Sequence, residues 1–301
     1  MNLENPEVSI IIPVHNRIEE LKRALTSVYS QTFKDFEVII IDDFSSIEIN
    51  LSELNIPVNV NMKLIRLAEK GNANIARNKG IECSNGNYIS FLDSDDQWKE
   101  NHLFESLNFL KQNKLDGCFG GIIIQTGEHR KTSIPRNLNE NEKFINYILD
   151  GGLCSTPTIT VKANCARDIR FDDKLHRHQD WDFGIRFHEV FNFKSYQKAT
   201  VIVNWSINNS RKINIESSII FIKKHGQKLS KINYYKYHRN LYHVAKKLNS
   251  EKKIINYYKK NALKYFNVLS ITDFMSIFEP KSTIKKVYYY LIYYSKKLKS
   301  Y

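Results

Sequence analysis

Three apolar strands that end in polar clusters constrain this chain most. Val8-Ser9-Ile10-Ile11-Ile12-Pro13 leads into His15-Asn16-Arg17. Phe36 to Ile41 leads into Asp42-Asp43-Phe44-Ser45-Ser46, and Tyr88 to Leu92 into Asp93-Ser94-Asp95-Asp96. Continuous β-branched runs of this kind read as parallel strands buried on both faces. Met62 to Leu67 reads as another strand, and helical spacing is expected over Glu19–Gln31, Asn72–Cys83 and Trp98–Asn113. The alternation predicts a mostly parallel α/β sheet over the first ~125 residues. In open sheets of this type ligands bind beyond the carboxyl ends of the strands. Three polar clusters at one sheet edge therefore predict a site there.

Further along, Gly117–Gln125 reads as a strand, Thr126–Pro135 as a loop and Glu140–Asp150 as a helix. Thr156–Val161 looks extended, His178–Val190 helical, and Tyr196–Trp205 a last strand. Helical stretches follow over Glu216–Leu248, Glu251–Val268 and Ser282–Lys299. No G-x-G-x-x-G or G-x-x-x-x-G-K-[ST] occurs, which argues against a dinucleotide fingerprint or a P-loop. No apolar run approaches the ~18–20 residues of a membrane span. The start, Met1-Asn2-Leu3-Glu4-Asn5-Pro6, has neither the basic nor the apolar region of a signal peptide, so a cytoplasmic location is expected. Cys83, Cys118, Cys154 and Cys165 form no close cluster and read as reduced core cysteines.

The acidic clusters suggest chemistry. Asp93 and Asp95 stand one residue apart just past a strand, where a turn can aim both at one hard cation. Such a cation keeps open positions for substrate phosphates. The same residues could instead cap the following helix. Asp42 and Asp43 could accept hydrogen bonds from a base or a ribose, or serve as turn caps. Arg77, near Asn74 on a predicted helix, could approach a phosphate. Asp180 and Asp182 flank Trp181 at a helix start. One could deprotonate a hydroxyl, or both could complement the helix dipole.

Taken in order, five segments resemble one family. They are I-I-I-P-V-H-N-R, then A-L-T-S-V-Y-S-Q-T-F-K-D-F-E-V, I-I-I-D-D-F-S-S, N-I-A-R-N-K-G-I and G-N-Y-I-S-F-L-D-S-D-D. The set is similar to family 2 inverting glycosyltransferases with the GT-A nucleotide-diphospho-sugar transferase fold, strongly over residues 7–115 and more weakly over 150–205. The resemblance implies a UDP-sugar donor, a saccharide acceptor and a divalent cation, Mn²⁺ or Mg²⁺. It implies that Pro13, His15 and Arg17 line the nucleotide pocket, with Asp42 or, preferentially, Asp43 on the uridine. Asn74 and Arg77 would face the nucleotide or its diphosphate. Asp93-Ser94-Asp95 would be the D-x-D segment at the donor, with Asp95 the direct metal ligand and Asp93 beside it. Asp180 falls where the family places its general base, with Asp182 in reserve. The family's preceding Glu is replaced here by Gln179. That substitution leaves a second reading, a catalytically inactive scaffold that only binds nucleotide-sugars.

Charge divides the chain unevenly. The 301 residues carry a net +13, yet 211–301 hold 21 Lys+Arg against 4 Asp+Glu, a net +17, and 13 of the 17 tyrosines. The expected organisation is a GT-A domain over 1–210, with a nucleotide-binding half at 1–115 and an acceptor half at 116–210. A basic, Lys/Tyr-rich helical region at 211–301 follows. Lysines beside apolar and aromatic residues suit an anionic membrane surface. Biased composition is the competing explanation, and nucleic acid is not expected as a partner. With the resemblance, this implies a peripheral enzyme at the inner face of a bacterial membrane, extending lipid-linked O-antigen, capsule or lipopolysaccharide glycans.

Overall fold

A strand whose side chains are apolar on both faces must lie inside a sheet that is covered on both sides. All seven residues of β1 (Val8–Val14) are buried. The computed structural model describes residues 5–205 and 214–265. After β1 come α1 (Ile18–Tyr29), β2 (Phe36–Asp42), β3 (Asn61–Arg66), α2 (Ala73–Cys83) and β4 (Tyr88–Phe91). The strands pair in parallel in the order β3-β2-β1-β4. The order turns back between β1 and β4, and such a switch point opens a crevice at the carboxyl ends of the strands.

The amino ends are fixed by buried polar groups. Ser9 Oγ donates to Glu37 at 2.7 Å and accepts the Gly86 N–H at 2.8 Å. Glu37 also accepts the Asn85 N–H at 2.7 Å and pairs with Lys63 at 2.8 Å. This network ties the turn before β4 onto β1 and β2, fixing where β4 begins. On one face, Leu21, Ala24, Leu25 and Val28 of α1 pack into the main core with Val8, Ile10, Ile12, Val38 and Ile40.

The second half contains β5 (Gln97–Trp98), α3 (His102–Gln112), β6 (Gly117–Thr126), β7 (His129–Ser133), α4 (Phe144–Leu149), β8 (Thr160–Lys162), α5 (Ala163–Ile169), α6 (Gln179–Val190) and β9 (Phe193–Asn204). The sheet continues past β4 as β8-β6-β9-β5. Here β8 is antiparallel to both neighbours, β6 and β9 are parallel, and β5 is antiparallel to β9. The sheet is therefore mixed, wholly parallel only in its first half. Residues 126–135, expected as a loop, include β7, an edge strand antiparallel to β6. Its residues are polar because an edge strand has little surface to bury. Gly127, at φ +57°, makes the tight turn. Trp98, expected to open a helix, lies in β5 instead, and its Nε1 donates to Pro157 O at 2.8 Å. All four cysteines are free thiols.

The chain divides into two compact units, 1–221 and 222–301. α7 (Ile215–His225) spans that division, followed by α8 (Lys231–Lys247) and α9 (Lys252–Ala262). The single helix expected over Glu216–Leu248 is broken near Gly226, and Ser230 Oγ caps α8 by accepting the Asn233 N–H at 3.2 Å. In α8 and α9, Tyr235, Tyr237, Tyr242 and Tyr258 are buried. These tyrosines are packing residues. The stretch expected as helix over 282–299 lies outside the described residues. Among the described residues, no helix is long and apolar enough to cross a membrane.

A Cβ at Gly86 would lie 2.5 Å from the Ser9 backbone nitrogen and 2.8 Å from the Val8 carbonyl carbon. Backbone cannot yield as a flexible side chain can. Gly86→Ala is expected to cost about 1–3 kcal/mol, read as a lowered urea midpoint at unchanged slope.

Candidate active site

The ends of β1, β2 and β4 are fastened to one another before any ligand is considered. His15 Nδ1 lies 2.8 Å from Asp43 O. Asn16 takes a left-handed backbone, φ +53°, which Asn tolerates better than most residues. Its N–H donates to Ser45 Oγ at 2.9 Å and its Oδ1 accepts the Ser46 N–H at 2.7 Å. The Asp43 carboxylate accepts the Gly71 N–H at 2.7 Å, which brings the approach to α2 against the same edge.

These ends enclose a cavity of about 350 Å³. It is lined by Pro13, Val14, His15, Arg17, Asp43, Ala73, Arg77, Asp93, Ser94, Asp95 and Gln179. Two ion pairs cross it. Arg17 Nη1 donates to Asp95 Oδ2 at 2.6 Å, and Arg77 Nη2 donates to Asp93 Oδ1 at 2.5 Å. Arg77 is almost wholly buried, packs over the Phe171 ring at 5.2 Å and donates from Nη1 to Asn74 Oδ1 at 3.1 Å. Asp93 and Asp95 stay partly exposed, and the second oxygen of each meets no protein donor among the described residues. That donor set suits a hard divalent cation held by one or two carboxylates. Among the described residues no group of three or more His, Cys, Asp or Glu could hold a metal. Any cation here would therefore take its remaining ligands from water or substrate.

Eight of the residues singled out in the sequence line the cavity. Four do not. Asp42 is buried below the edge, where it accepts the Ser45 N–H at 2.9 Å and pairs with Arg66 at 2.6 Å. It shapes the turn that presents Asp43. Asn74 donates to Asp172 O and Leu175 O, each at 2.7 Å, and so ties the 172–175 turn to α2. Asp182 is fully buried and paired with both Nε and Nη2 of Arg186, at 2.8 and 2.7 Å. Arg186 in turn donates to Ile169 O and to Arg170 O. Asp182 braces α6 and does not line the cavity.

Asp180, the fourth, stands in the first turn of α6 beside Gln179, within electrostatic reach of Arg77 and Asp93. Burial pushes its pKa up to about 6. The Trp181 N–H, 2.9 Å from Oδ1, and the charge of Arg77 partly oppose that rise, while Asp93 adds to it. The result is a carboxyl that is ionised at neutral pH yet basic enough to accept a proton. The nearby Cys154 thiol is held well above its usual range, by burial first and then by Asp180, so it stays protonated and is no nucleophile. Gln179 received no contact role from its sequence, because nothing in a helix-start pattern says which first-turn side chain faces a cavity.

Comparison with known proteins agrees with this fold. The family model described as Glycosyl transferase family 2 matches residues 9–198. The amylovoran biosynthesis glycosyltransferase AmsB of Erwinia amylovora is 32% identical over 209 residues, 65% of this chain and 68% of AmsB. The poly(ribitol-phosphate) beta-N-acetylglucosaminyltransferase TarP of Staphylococcus aureus is 36% identical over 140 residues. That match covers 44% of this chain and less than half, 41%, of TarP. Among solved structures, S. aureus TarS in complex with UDP-GlcNAc superposes with a TM-score of 0.56 at 18% identity, covering 87% of this chain and 72% of that one. At that identity the likeness speaks for the fold.

The two α6 carboxylates should respond differently to replacement. Asp182→Ala removes the buried carboxylate that holds the half-buried Arg186 and is expected to cost about 1–3 kcal/mol of stability. Asp180→Asn is expected to stay within about 1 kcal/mol of the parent. Chemical denaturation of both variants measures the contrast, and equal losses would contradict it.

Proposed function

The chain belongs to glycosyl transferase family 2, and from that premise we propose that it moves a hexose or N-acetylhexosamine from a UDP-sugar, with inversion, onto a saccharide acceptor. The observation that carries the reading is the single cavity uniting Pro13, His15, Arg17, Asp43, Arg77, Ser94 and the Asp93/Asp95 pair, with Asp180 close by. The solved complexes of TarS with UDP and with UDP-GlcNAc, on the same fold, support a nucleotide-sugar donor. The names of AmsB, TarP and the putative teichuronic acid glycosyltransferase TuaG of Bacillus subtilis support a role in bacterial surface-polysaccharide synthesis.

In this reading His15 and Asp43 receive the nucleoside, and Arg77 and Arg17 offer positive charge to the diphosphate. Asp95, with Asp93, would hold Mn²⁺ or Mg²⁺. That cation, when bound, supplies Lewis-acid neutralisation of the departing diphosphate. Arg17 and Arg77 then exchange part of their pairing with the aspartates for phosphate oxygens, a bidentate geometry that guanidinium favours. Asp180 accepts the proton of the acceptor hydroxyl as that oxygen attacks the anomeric carbon and UDP leaves from the opposite face.

The basic region beyond residue 210 is assigned to an anionic membrane surface, which would bring a lipid-linked acceptor to the site. Lys246 over Tyr242 and Lys264 over Tyr234 illustrate its lysine–tyrosine pairing.

UDP release from a panel of UDP-sugars, with and without Mn²⁺, tests the reaction. Asp180→Asn should lower kcat by about 10²–10⁴-fold, the usual worth of a general base, and leave UDP affinity unchanged. A base works only when deprotonated, so kcat should fall as pH drops through about 6 and level off above it. Binding of UDP with no transfer to any acceptor would favour the scaffold reading. Sedimentation with phosphatidylglycerol vesicles should show salt-sensitive binding that weakens in the Lys285, Lys286, Lys296 and Lys297→Gln variant. Salt-insensitive or unchanged binding would return the tail to biased composition.

A further inference from the structure

The base is presented by a short, unusual piece of backbone. His178 sits immediately before α6 with φ +62°, a left-handed conformation that a non-glycine residue keeps only when its surroundings enforce it. Its carbonyl accepts the Asp182 N–H at 2.8 Å, the first bond of α6. Whatever fixes His178 therefore fixes the direction in which Gln179 and Asp180 project.

We propose that Ser217, at the start of α7, is a positioning residue for Asp180, because its buried hydroxyl holds the 176–178 turn in place. The inference rests on Asp180 being the base. Ser217 Oγ accepts the N–H groups of His176 and Arg177, each at 3.0 Å, and donates to Arg177 O at 3.2 Å. A hydroxyl offers one donor and two acceptor sites, and all three are spent on two consecutive residues of the turn. Ser217 is itself placed by its own N–H, which donates to Asn214 Oδ1 at 2.8 Å. The next residues of α7 continue the contact. Ser218 Oγ lies 3.3 Å from His178 Nε2. The Phe221 ring packs 4.9 Å from the His178 ring, which is also stacked on Trp181 at 4.3 Å. Burial, aided by the Arg177 charge, lowers the His178 pKa to about 3, so the ring is neutral and acts as a fixed packing element.

The family match ends at residue 198, so the brace comes from a segment the match does not reach. General base catalysis needs the carboxylate within hydrogen-bond reach of the attacking hydroxyl. An ångström of drift can cost about 100-fold in rate. Removing the three bonds should therefore loosen the turn and move the base together with Gln179, one wall residue, while the ends of β1, β2 and β4 that line the rest of the cavity stay in place.

Ser217→Ala in the full-length protein tests this, with three readouts. Hydrogen exchange at the His176 and Arg177 amides should accelerate. Turnover of the UDP-sugar chosen by the donor panel should lose about 10- to 100-fold in kcat, with donor KM and UDP affinity within about two-fold of the parent. Ser217→Thr, which keeps the hydroxyl, should recover most of the rate. Unchanged exchange, or faster exchange with parental kcat, would overturn the proposal. So would an equal loss of kcat in Ser106→Ala, a buried serine of α3 whose hydroxyl makes a local bond to Leu103 O. If Ser217→Ala does not fold, the same readouts on Ser217→Cys, whose thiol is a weak donor and acceptor, decide. Asp180→Asn keeps the two readings apart. Parental turnover there rejects the base, whereas an inactive Asp180→Asn beside a normal Ser217→Ala rejects only the brace.

Discussion

Burial of β1 on both faces is the constraint from which the rest follows. A strand with Ile10, Ile11 and Ile12 wholly hidden needs strands on both sides and helices above and below. β2 and β4 supply the strands, and the order reversal around β1 then fixes where a crevice must open. The Ser9, Glu37, Lys63 and Gly86 network pins the opposite ends, so the three carboxyl-end clusters arrive at one edge in register. The cavity is a consequence of how that sheet is closed.

At that edge the aspartates divide by what they touch. Asp42, Asp96 and Asp182 are buried and engaged, with Ser45 and Arg66, with the Asn204 N–H, and with Arg186. They spend their charge on holding turns and helices. Asp93 and Asp95 each give one oxygen to an arginine and keep the other open to the cavity. Asp180 differs in having no arginine pairing of its own in the site among the described residues, and desolvation raises its pKa to about 6. The arginines add the positive charge a diphosphate would need, held ready by the same carboxylates.

The sheet's first half was legible because β1 and β2 are seven-residue runs rich in β-branched side chains and β4 is a shorter apolar one, each stopped by a polar cluster. The second half was less so. β7 is polar because it lies at an edge, and α5 starts immediately after β8 with no turn residue between them. Trp98 looked helical by its neighbours, yet its indole N–H is taken by Pro157 O, a partner far along the chain. Among site residues, Pro13, His15, Arg17, Asp43, Arg77, Asp93, Ser94 and Asp95 were readable from motif order. Asn74 and Asp42 were readable as residues of the site region but not in role, since both turn inward to carbonyls and side chains that only folding brings near.

The sequence by itself determined the strand core, the edge at which chemistry gathers and the family to which those motifs point. It did so because apolar runs and the residues that stop them are local properties of the chain. Tertiary structure alone separated Asp180 from Asp182. Two positions of one helical turn differ in what lies across from them, Arg186 for Asp182 and, within electrostatic reach, Arg77 and Asp93 for Asp180. It alone also brought Ser217 to the turn before α6, 40 residues away along the chain.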